Sequence, residues 1–524
     1  MVRAGHLPLP RGWGAGGQRE HPLDPGTAWT AGQDRARAHR GGDRPRRRHG
    51  GFGHAARSPA GIAIRHSYHF HGGTYPMVKE LYDPHMFNYM WESLDQDHFV
   101  VGTYYIEDSR PDWDFIDHLG QVQRLALEGS TATWMDIKEE TPEVRERLCS
   151  KVLGYYEIPS PPGTRRAVIQ LAFPTAAWDV NVNVPMMLLS ISGNIFAFCD
   201  KVRLLDVFIP EAIAKKFSGP KFGIEGLREK LGVYGRPLVL QIIKPKMGMT
   251  PEETANQVYQ TALGGADLCK DDEMCSELEN CPFEARLEAV LKALEKAERE
   301  TGHKTLYMVS ITDEVDRVHE KARRAVKLGA TGLLLAYPVG LSTLKVIASD
   351  PEINVPILWH VSHMLGMLPT MSYVALAKLA RLCGADMMLT PSLWSSLQVC
   401  SVEEELRTSQ TLRAPFYHIK RAWPMPAAGM YPGLAEVLIQ EHGIDFIVPA
   451  GGGMLGHPMG YKAGAMAWRQ AIDAVLAGMS LQEAAEKYPE FRAAAELWGI
   501  RKRPQCPWGY RGPEFHPKFA PKNI

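Results

Sequence analysis

Between residues 237 and 449 the chain repeats one pattern eight times: a short apolar run, then a stretch whose apolar positions recur at helical spacing. The runs are 237–243 (PLVLQII), 266–269 (ADLC), 305–311 (TLYMVSI), 331–337 (TGLLLAY), 355–361 (VPILWHV), 385–390 (ADMMLT), 415–419 (PFYHI) and 444–449 (IDFIVP). Helical patterns fill the gaps, at 251–263, 282–301, 314–328, 371–383 and 462–478. Runs that stay apolar at successive positions suit strands covered on both faces, as in a parallel sheet wrapped by helices. Eight such units in this length predict a (β/α)8 barrel, a TIM barrel. The competing doubly wound open sheet ordinarily carries a glycine fingerprint after its first strand. Here that place holds Lys244-Pro245-Lys246.

In such a barrel the chemistry sits where the strands end. Lys244 and Lys246 lie on one face of an extended chain, and two ammonium groups in one mouth call for an anion. The second strand ends in Lys270-Asp271-Asp272-Glu273. Period two puts Lys270 and Asp272 on one face, and Glu273 follows as the strand turns out. Paired carboxylates need a cation or a proton between them, and hard oxygen donors at a barrel mouth suit Mg2+. Lys270 fits such a site when neutral, or as a carbamate formed with CO2. The fifth strand ends in His360, within Trp359-His360-Val361-Ser362-His363, where an imidazole can move a proton near neutral pH. Small-residue loops follow the last two strands, with Gly429 after the seventh and Gly451 and Gly452 after the eighth. Their backbone N–H groups suit a phosphate.

Ahead of the barrel, strands are expected at 99–107, 151–158 and 166–173, with helices at 113–128 and 185–192. Strands and helices mixed without regular alternation predict an α+β domain over 97–215, followed by the barrel over 225–500 and a tail over 501–524. Residues 1–66 are rich in Gly, Arg, Pro and His and precede the first lysine, Lys79. They are expected to be disordered, or to arise from a start codon placed too far upstream. The basic run at 44–49 reads as a solvated tail, and His66, His69 and His71 as histidines without a metal.

The 59 basic and 59 acidic residues balance, which gives no reason to expect nucleic acid or an anionic membrane as partner. No apolar run is long enough to span a bilayer. The eight cysteines are scattered without a CxxC pair, which points to a reducing, cytoplasmic setting.

Taken together, GGADLCKDDE (264–273), KPKMG (244–248), GGGMLGHPMG (451–460), STATW (130–134), SGNIFAF (192–198) and GPKFGIEGLREKLGVYGRPL (219–238) resemble the RuBisCO large-subunit superfamily. The resemblance spans roughly residues 97–500. It implies a ferredoxin-like N-terminal domain before the barrel and a homodimer as the smallest active unit. It implies that Lys270 is carbamylated and, with Asp272 and Glu273, holds Mg2+. Lys244 would be the acid/base and Lys246 a supporting cation, with Gly451 and Gly452 on a phosphate. Glu128, Thr133, Trp134 and Asn194 would reach in from the partner's N-terminal domain.

The chain also departs from the carboxylase pattern. The stretch 390–398 after the sixth strand has no lysine to steady CO2. The histidine expected near that strand's end falls on Met387 or Leu389, and Ala427 stands where a serine is expected. The arginine beside the fifth-strand histidine, which would clamp a second phosphate, is missing. The pattern looks like form IV, the RuBisCO-like proteins. The implied activity is enolisation of a phosphorylated ketose or keto-sugar acid, ending in isomerisation or decarboxylation without net CO2 fixation. A true carboxylase and a non-catalytic binding homologue are the alternatives.

Overall fold

The computed structural model describes residues 67–70, 73–76, 91–110, 121–131, 137–178, 182–396 and 399–503. The expected tail beyond residue 503, the segment before Ser67, and His66 and His71 lie outside them. Strands β1 (Ser67–Phe70) and β2 (Gly73–Pro76) pair antiparallel. The N-terminal domain is one antiparallel sheet of β3 (Phe99–Asp108), β4 (Lys151–Ile158), β5 (Arg165–Pro174) and β6 (Lys201–Phe208), in the order β4-β5-β3-β6. Helices Gln121–Glu128 and Pro142–Leu148 follow β3, and helix Val184–Ser192 follows β5. This β-α-β-β-α-β order is the expected ferredoxin-like arrangement. Val100, Tyr104 and Ile106 of β3 are buried, and the Tyr104 hydroxyl donates to the Ile191 carbonyl at 2.8 Å, which seats the second helix on the sheet. The edge strand β6 is covered by the barrel domain: Leu204 N–H donates to Thr370 O at 2.8 Å, and Ser372 N–H returns a bond to Leu204 O at 2.9 Å.

The barrel strands are β7 (Leu238–Ile242), β8 (Leu268–Lys270), β9 (Leu306–Ser310), β10 (Gly332–Ala336), β11 (Ile357–His360), β12 (Met387–Thr390), β13 (Trp423–Pro426) and β14 (Ile447–Ala450). They form one parallel sheet in the order β13-β12-β11-β10-β9-β8-β7-β14. The chain therefore winds once around, with a helix after each strand.

Strands β8, β10, β12 and β14 are each entered by the same local device. A glycine at positive φ (Gly265, Gly329, Gly384, Gly443) turns the chain, and two residues later stands Asp267, Thr331, Asp386 or Asp445. The first three of these side chains accept a backbone N–H from the preceding strand: Val239 at 2.8 Å, Tyr307 at 2.7 Å and Ile357 at 2.8 Å. Asp445 instead pairs with Arg228, at 2.8 Å. The N-terminal rim of the barrel is thus held by side-chain oxygens as well as by the sheet's own ladder.

The structure corrects the seventh strand. Residues 415–419 are not a strand: Tyr417 has φ +50°, and Ile419 N–H closes a turn onto Phe416 O at 2.9 Å. The strand is Trp-Pro-Met-Pro at 423–426, concealed in the sequence by its prolines. Trp423 and Ala427 donate their N–H groups to β12, at 2.9 Å to Asp386 O and 3.1 Å to Thr390 O. Alternation turns the nitrogens of Pro424 and Pro426 the other way, toward β14. On β14, Leu238 N–H reaches Phe446 O at 3.1 Å, so Pro449 in turn faces β13. Proline is tolerated only where no ladder bond is needed. Among the described residues the β13–β14 seam carries none, and the circle closes there by side-chain packing.

Candidate active site

The sequence-predicted residues from three strand ends meet at the C-terminal mouth of the barrel. Lys244 lies just beyond β7, and its ammonium donates to Asp272 Oδ2. Lys246 Nζ stands 3.9 Å from Asp272 Oδ1 and 3.7 Å from Glu273 Oε1. Lys270, the last residue of β8, is fully buried; its Nζ donates to the Asp271 carbonyl at 2.8 Å and lies 3.8 Å from Glu273 Oε2. Burial lowers the Lys270 ammonium to about 8, a fall that the charges of Glu273 and Asp272 only partly offset. Burial by itself would raise the Glu273 carboxyl, but Lys270, Lys246 and Lys244 together hold it below its ordinary range.

His360 ends β11 with Nε2 at 3.2 Å from Glu273 Oε2. Its Nδ1 accepts the Ser362 N–H at 3.2 Å, which leaves the proton of the neutral ring on Nε2, facing Glu273. Burial, reinforced by the lysines, depresses its pKa well below the ordinary histidine value. The Ser362 hydroxyl donates to Glu273 Oε1 at 3.2 Å, so both carboxylate oxygens are oriented from the β11 end.

Asp271 points away from this group, as period two requires. Its carboxylate accepts from the Tyr307 hydroxyl at 2.5 Å and from Ser310 N–H at 2.8 Å, and lies 3.3 Å from the Arg286 guanidinium. This buried ion pair anchors the strand end behind the site. Sequence reasoning did not find Tyr307 or Arg286. Arg286 sits on an amphipathic helix, Phe283–Thr301, where an arginine ordinarily signals solvent.

The glycine loops crowd the same mouth. A Cβ on Gly451 would stand 3.6 Å from Lys244 Cε, and one on Gly453 would strike the Met430 carbonyl. Gly452 opens the short helix Gly452–Leu455, whose first N–H groups have no partner within the helix. Gly429, at φ +74°, packs against Ser396 in the loop after β12.

The remaining candidates lie in the N-terminal domain. Asn194 donates to Glu128 Oε1 at 3.1 Å, so these two are brought to each other. Thr133 and Trp134 lie outside the described residues. At the departures from the carboxylase pattern, Met387 and Leu389 are buried apolar side chains of β12. The seven described cysteines are free, and no described helix is long and apolar enough to cross a membrane.

Comparison with known proteins agrees with this fold. The family described as ribulose bisphosphate carboxylase large chain matches with its N-terminal domain at residues 92–213 and its catalytic domain at residues 223–498. A ribulose bisphosphate carboxylase-like protein of Archaeoglobus fulgidus is 39% identical over 404 residues, covering 74% of this chain and 90% of the relative. A 2,3-diketo-5-methylthiopentyl-1-phosphate enolase of Geobacillus thermodenitrificans is 36% identical over 414 residues, covering 76% and 98%. The crystal structure of a rubisco-like protein (MtnW) from Alicyclobacillus acidocaldarius superposes with a TM-score of 0.68 at 33% identity, covering 76% of this chain and 100% of that one. With two domains in this order, the barrel mouth above and relatives of this identity, the chain belongs to the ribulose bisphosphate carboxylase large-chain family, and within it resembles the RuBisCO-like proteins.

Proposed function

We propose that this chain is a RuBisCO-like enolase acting on a ketone substrate that carries one phosphate, of the kind its Geobacillus relative is named for, without fixing CO2. One observation carries this most: Lys244, Lys246, Lys270, Asp272, Glu273 and His360 converge at one mouth, while the stretch 390–398 holds no lysine to steady CO2 and buried Met387 and Leu389 stand where a histidine is expected.

The donor set fits the Mg2+ and lysine carbamate that the family implies. Asp272 is fully buried and has ammonium groups as its cationic neighbours, and Lys270, lowered to about 8, has an appreciable neutral fraction near neutral pH. Lys270 as a carbamate, with Asp272 and Glu273, would hold the ion. Bound there, Mg2+ would draw electron density from the substrate carbonyl and acidify the neighbouring C–H.

The chain's own groups supply the rest. Lys244 moves the proton from the carbon beside the carbonyl to the oxygen. Lys246 places a positive charge where the oxygen becomes negative. His360 and Ser362 keep Glu273 oriented. Backbone N–H groups at Gly451 and Gly452, with Gly429 opposite, receive the phosphate and fix the reacting carbon beside Lys244. Glu128, Asn194, Thr133 and Trp134 complete the mouth of the partner subunit in a homodimer.

The test is proton exchange. With Mg2+, bicarbonate and 2,3-diketo-5-methylthiopentyl 1-phosphate in D2O, the wild-type chain is expected to exchange the C–H next to the carbonyl and give the enol by NMR. Lys244→Ala and Lys270→Ala are expected to do neither. Absence of exchange in protein that binds Mg2+ would overturn the proposal. So would incorporation of labelled CO2 into ribulose 1,5-bisphosphate.

A further inference from the structure

A second cluster of metal-ligating side chains lies away from the barrel mouth, between helix Val402–Arg413, which follows β12, and helix Ala435–His442, which follows β13. Glu405 belongs to the first helix, and Glu441 and His442 to the second. One donor atom from each lies within 4.8 Å of the other two. Glu405 is 3% exposed and His442 1%. Glu405 Oε1 and His442 Nε2 are buried, face one another at 3.7 Å, and have no hydrogen-bond partner.

That separation is too long for a hydrogen bond. It lies within the roughly 4.2 Å that two bonds of about 2.1 Å to a single ion can span. A buried carboxylate oxygen and a buried imidazole nitrogen left without partners are costly. The surroundings hold two of the three donors in place. The Ser409 hydroxyl lies 3.1 Å from His442 Nδ1 and can accept its proton, which frees the Nε2 lone pair. The Trp394 indole N–H reaches both oxygens of Glu441 at 2.9 Å, and Arg503 lies 3.3 Å from Glu441 Oε1.

From this arrangement we propose that Glu405, Glu441 and His442 form a binding site for a divalent transition-metal ion of the Zn2+ class, separate from the barrel mouth. Two carboxylates balance the ion's charge, and an imidazole selects a borderline metal over Mg2+. The ion joins two outer helices that are already linked by the Ser409–His442 contact and by the Arg413 guanidinium donating to the His442 carbonyl, so its role is structural. It also fixes Trp394, in the loop after β12, through Glu441.

The experiment uses the full chain, stripped of metal and then titrated with Co2+ or Zn2+ in saturating Mg2+. A parallel titration uses the Asp272→Asn/Glu273→Gln variant, which removes the mouth's oxygen donors. One equivalent is expected to bind in both, with visible Co2+ absorption of a low-coordinate nitrogen–oxygen site and a rise in thermal midpoint. Glu405→Gln is expected to abolish that equivalent and the thermal rise without lowering the metal-free midpoint, because an amide of the same shape replaces a carboxyl whose buried Oε1 has no hydrogen-bond partner. Ser409→Ala is expected to weaken binding about 10–100-fold by releasing the imidazole. The proposal is overturned if wild type in saturating Mg2+ binds no further equivalent. It is equally overturned if Glu405→Gln and His442→Gln both bind it as wild type does.

Discussion

Lys270 is fully buried in the barrel, and its protonation is the switch on which the proposed site depends. CO2 adds only to a neutral amine, and burial lowers this lysine to about 8. At a fixed concentration of dissolved CO2, the rate of activation is therefore expected to rise about tenfold per pH unit below 8 and to level off above it. Preincubation at varied pH, followed by assay at one fixed pH, measures this; a flat profile would contradict it. The folded-state value also lies below the ordinary 10.5, so the unfolded chain binds the extra proton between about 8 and 10.5 and stability rises with pH across that window. Burial depresses His360 as well, and its lowered basicity keeps it neutral and donating to Glu273. His360→Ala is expected to raise the half-saturating Mg2+ concentration about 10–100-fold. A fall in turnover with unchanged Mg2+ dependence would instead make it a proton carrier. At this scale the sequence was largely legible, because a strand's period of two sorts Lys270 and Asp272 from Asp271. What it hid was Asp271's own partners, Tyr307 and Arg286, since sequence spacing does not show which helix a strand end faces.

The elements show where pattern reading succeeds and where it stops. Seven of the eight barrel strands were visible as apolar runs because both of their faces are buried. The eighth was missed because Trp-Pro-Met-Pro breaks the rule against proline in a sheet, a rule that lapses where no ladder bond is made. The Gly-x-Asp/Thr entry to alternate strands was in plain view and went unread, because its value lies in side-chain bonds to a neighbouring strand. Asp267 shows its weight: two bonds from Arg236 at 2.7 and 2.6 Å and one from Val239 N–H act against burial, which alone would raise the carboxyl, and hold it at about 2. A folded-state value below the ordinary 3.8 means the stabilisation, about 2 kcal/mol, is present above pH 4 and lost as pH falls toward 2. Asp267→Ala is expected to cost about 3–5 kcal/mol in urea unfolding, since it strands a partly buried guanidinium. A loss under 1 kcal/mol would show the entry device to be dispensable.

For the whole molecule, the ferredoxin-like domain and the barrel were both legible, in the order the chain takes. Assembly was implied by resemblance alone, because one chain's sequence does not display its partner's surface. Glu128 and Asn194 face each other in the N-terminal domain, and the proposed dimer has them serve the neighbour's mouth. Co-expressing Glu128→Ala with Lys270→Ala chains tests this. Each mixed dimer then holds one site with both defects and one with neither, so random pairing is expected to restore about a quarter of wild-type activity. Restoration of none would place Glu128 at its own chain's mouth rather than the neighbour's.

The β13–β14 seam gives this barrel a front opening. Gly429 follows one strand of the seam and Gly451 the other, so the two loops proposed to grip the phosphate are mounted like the two halves of a clasp. Elsewhere around the circle, parting two neighbouring loops strains a backbone ladder. Here they can spread by loosening side-chain contacts alone, so the three prolines of the seam, two of which hid a strand from sequence reading, also leave the mouth a way to release its product.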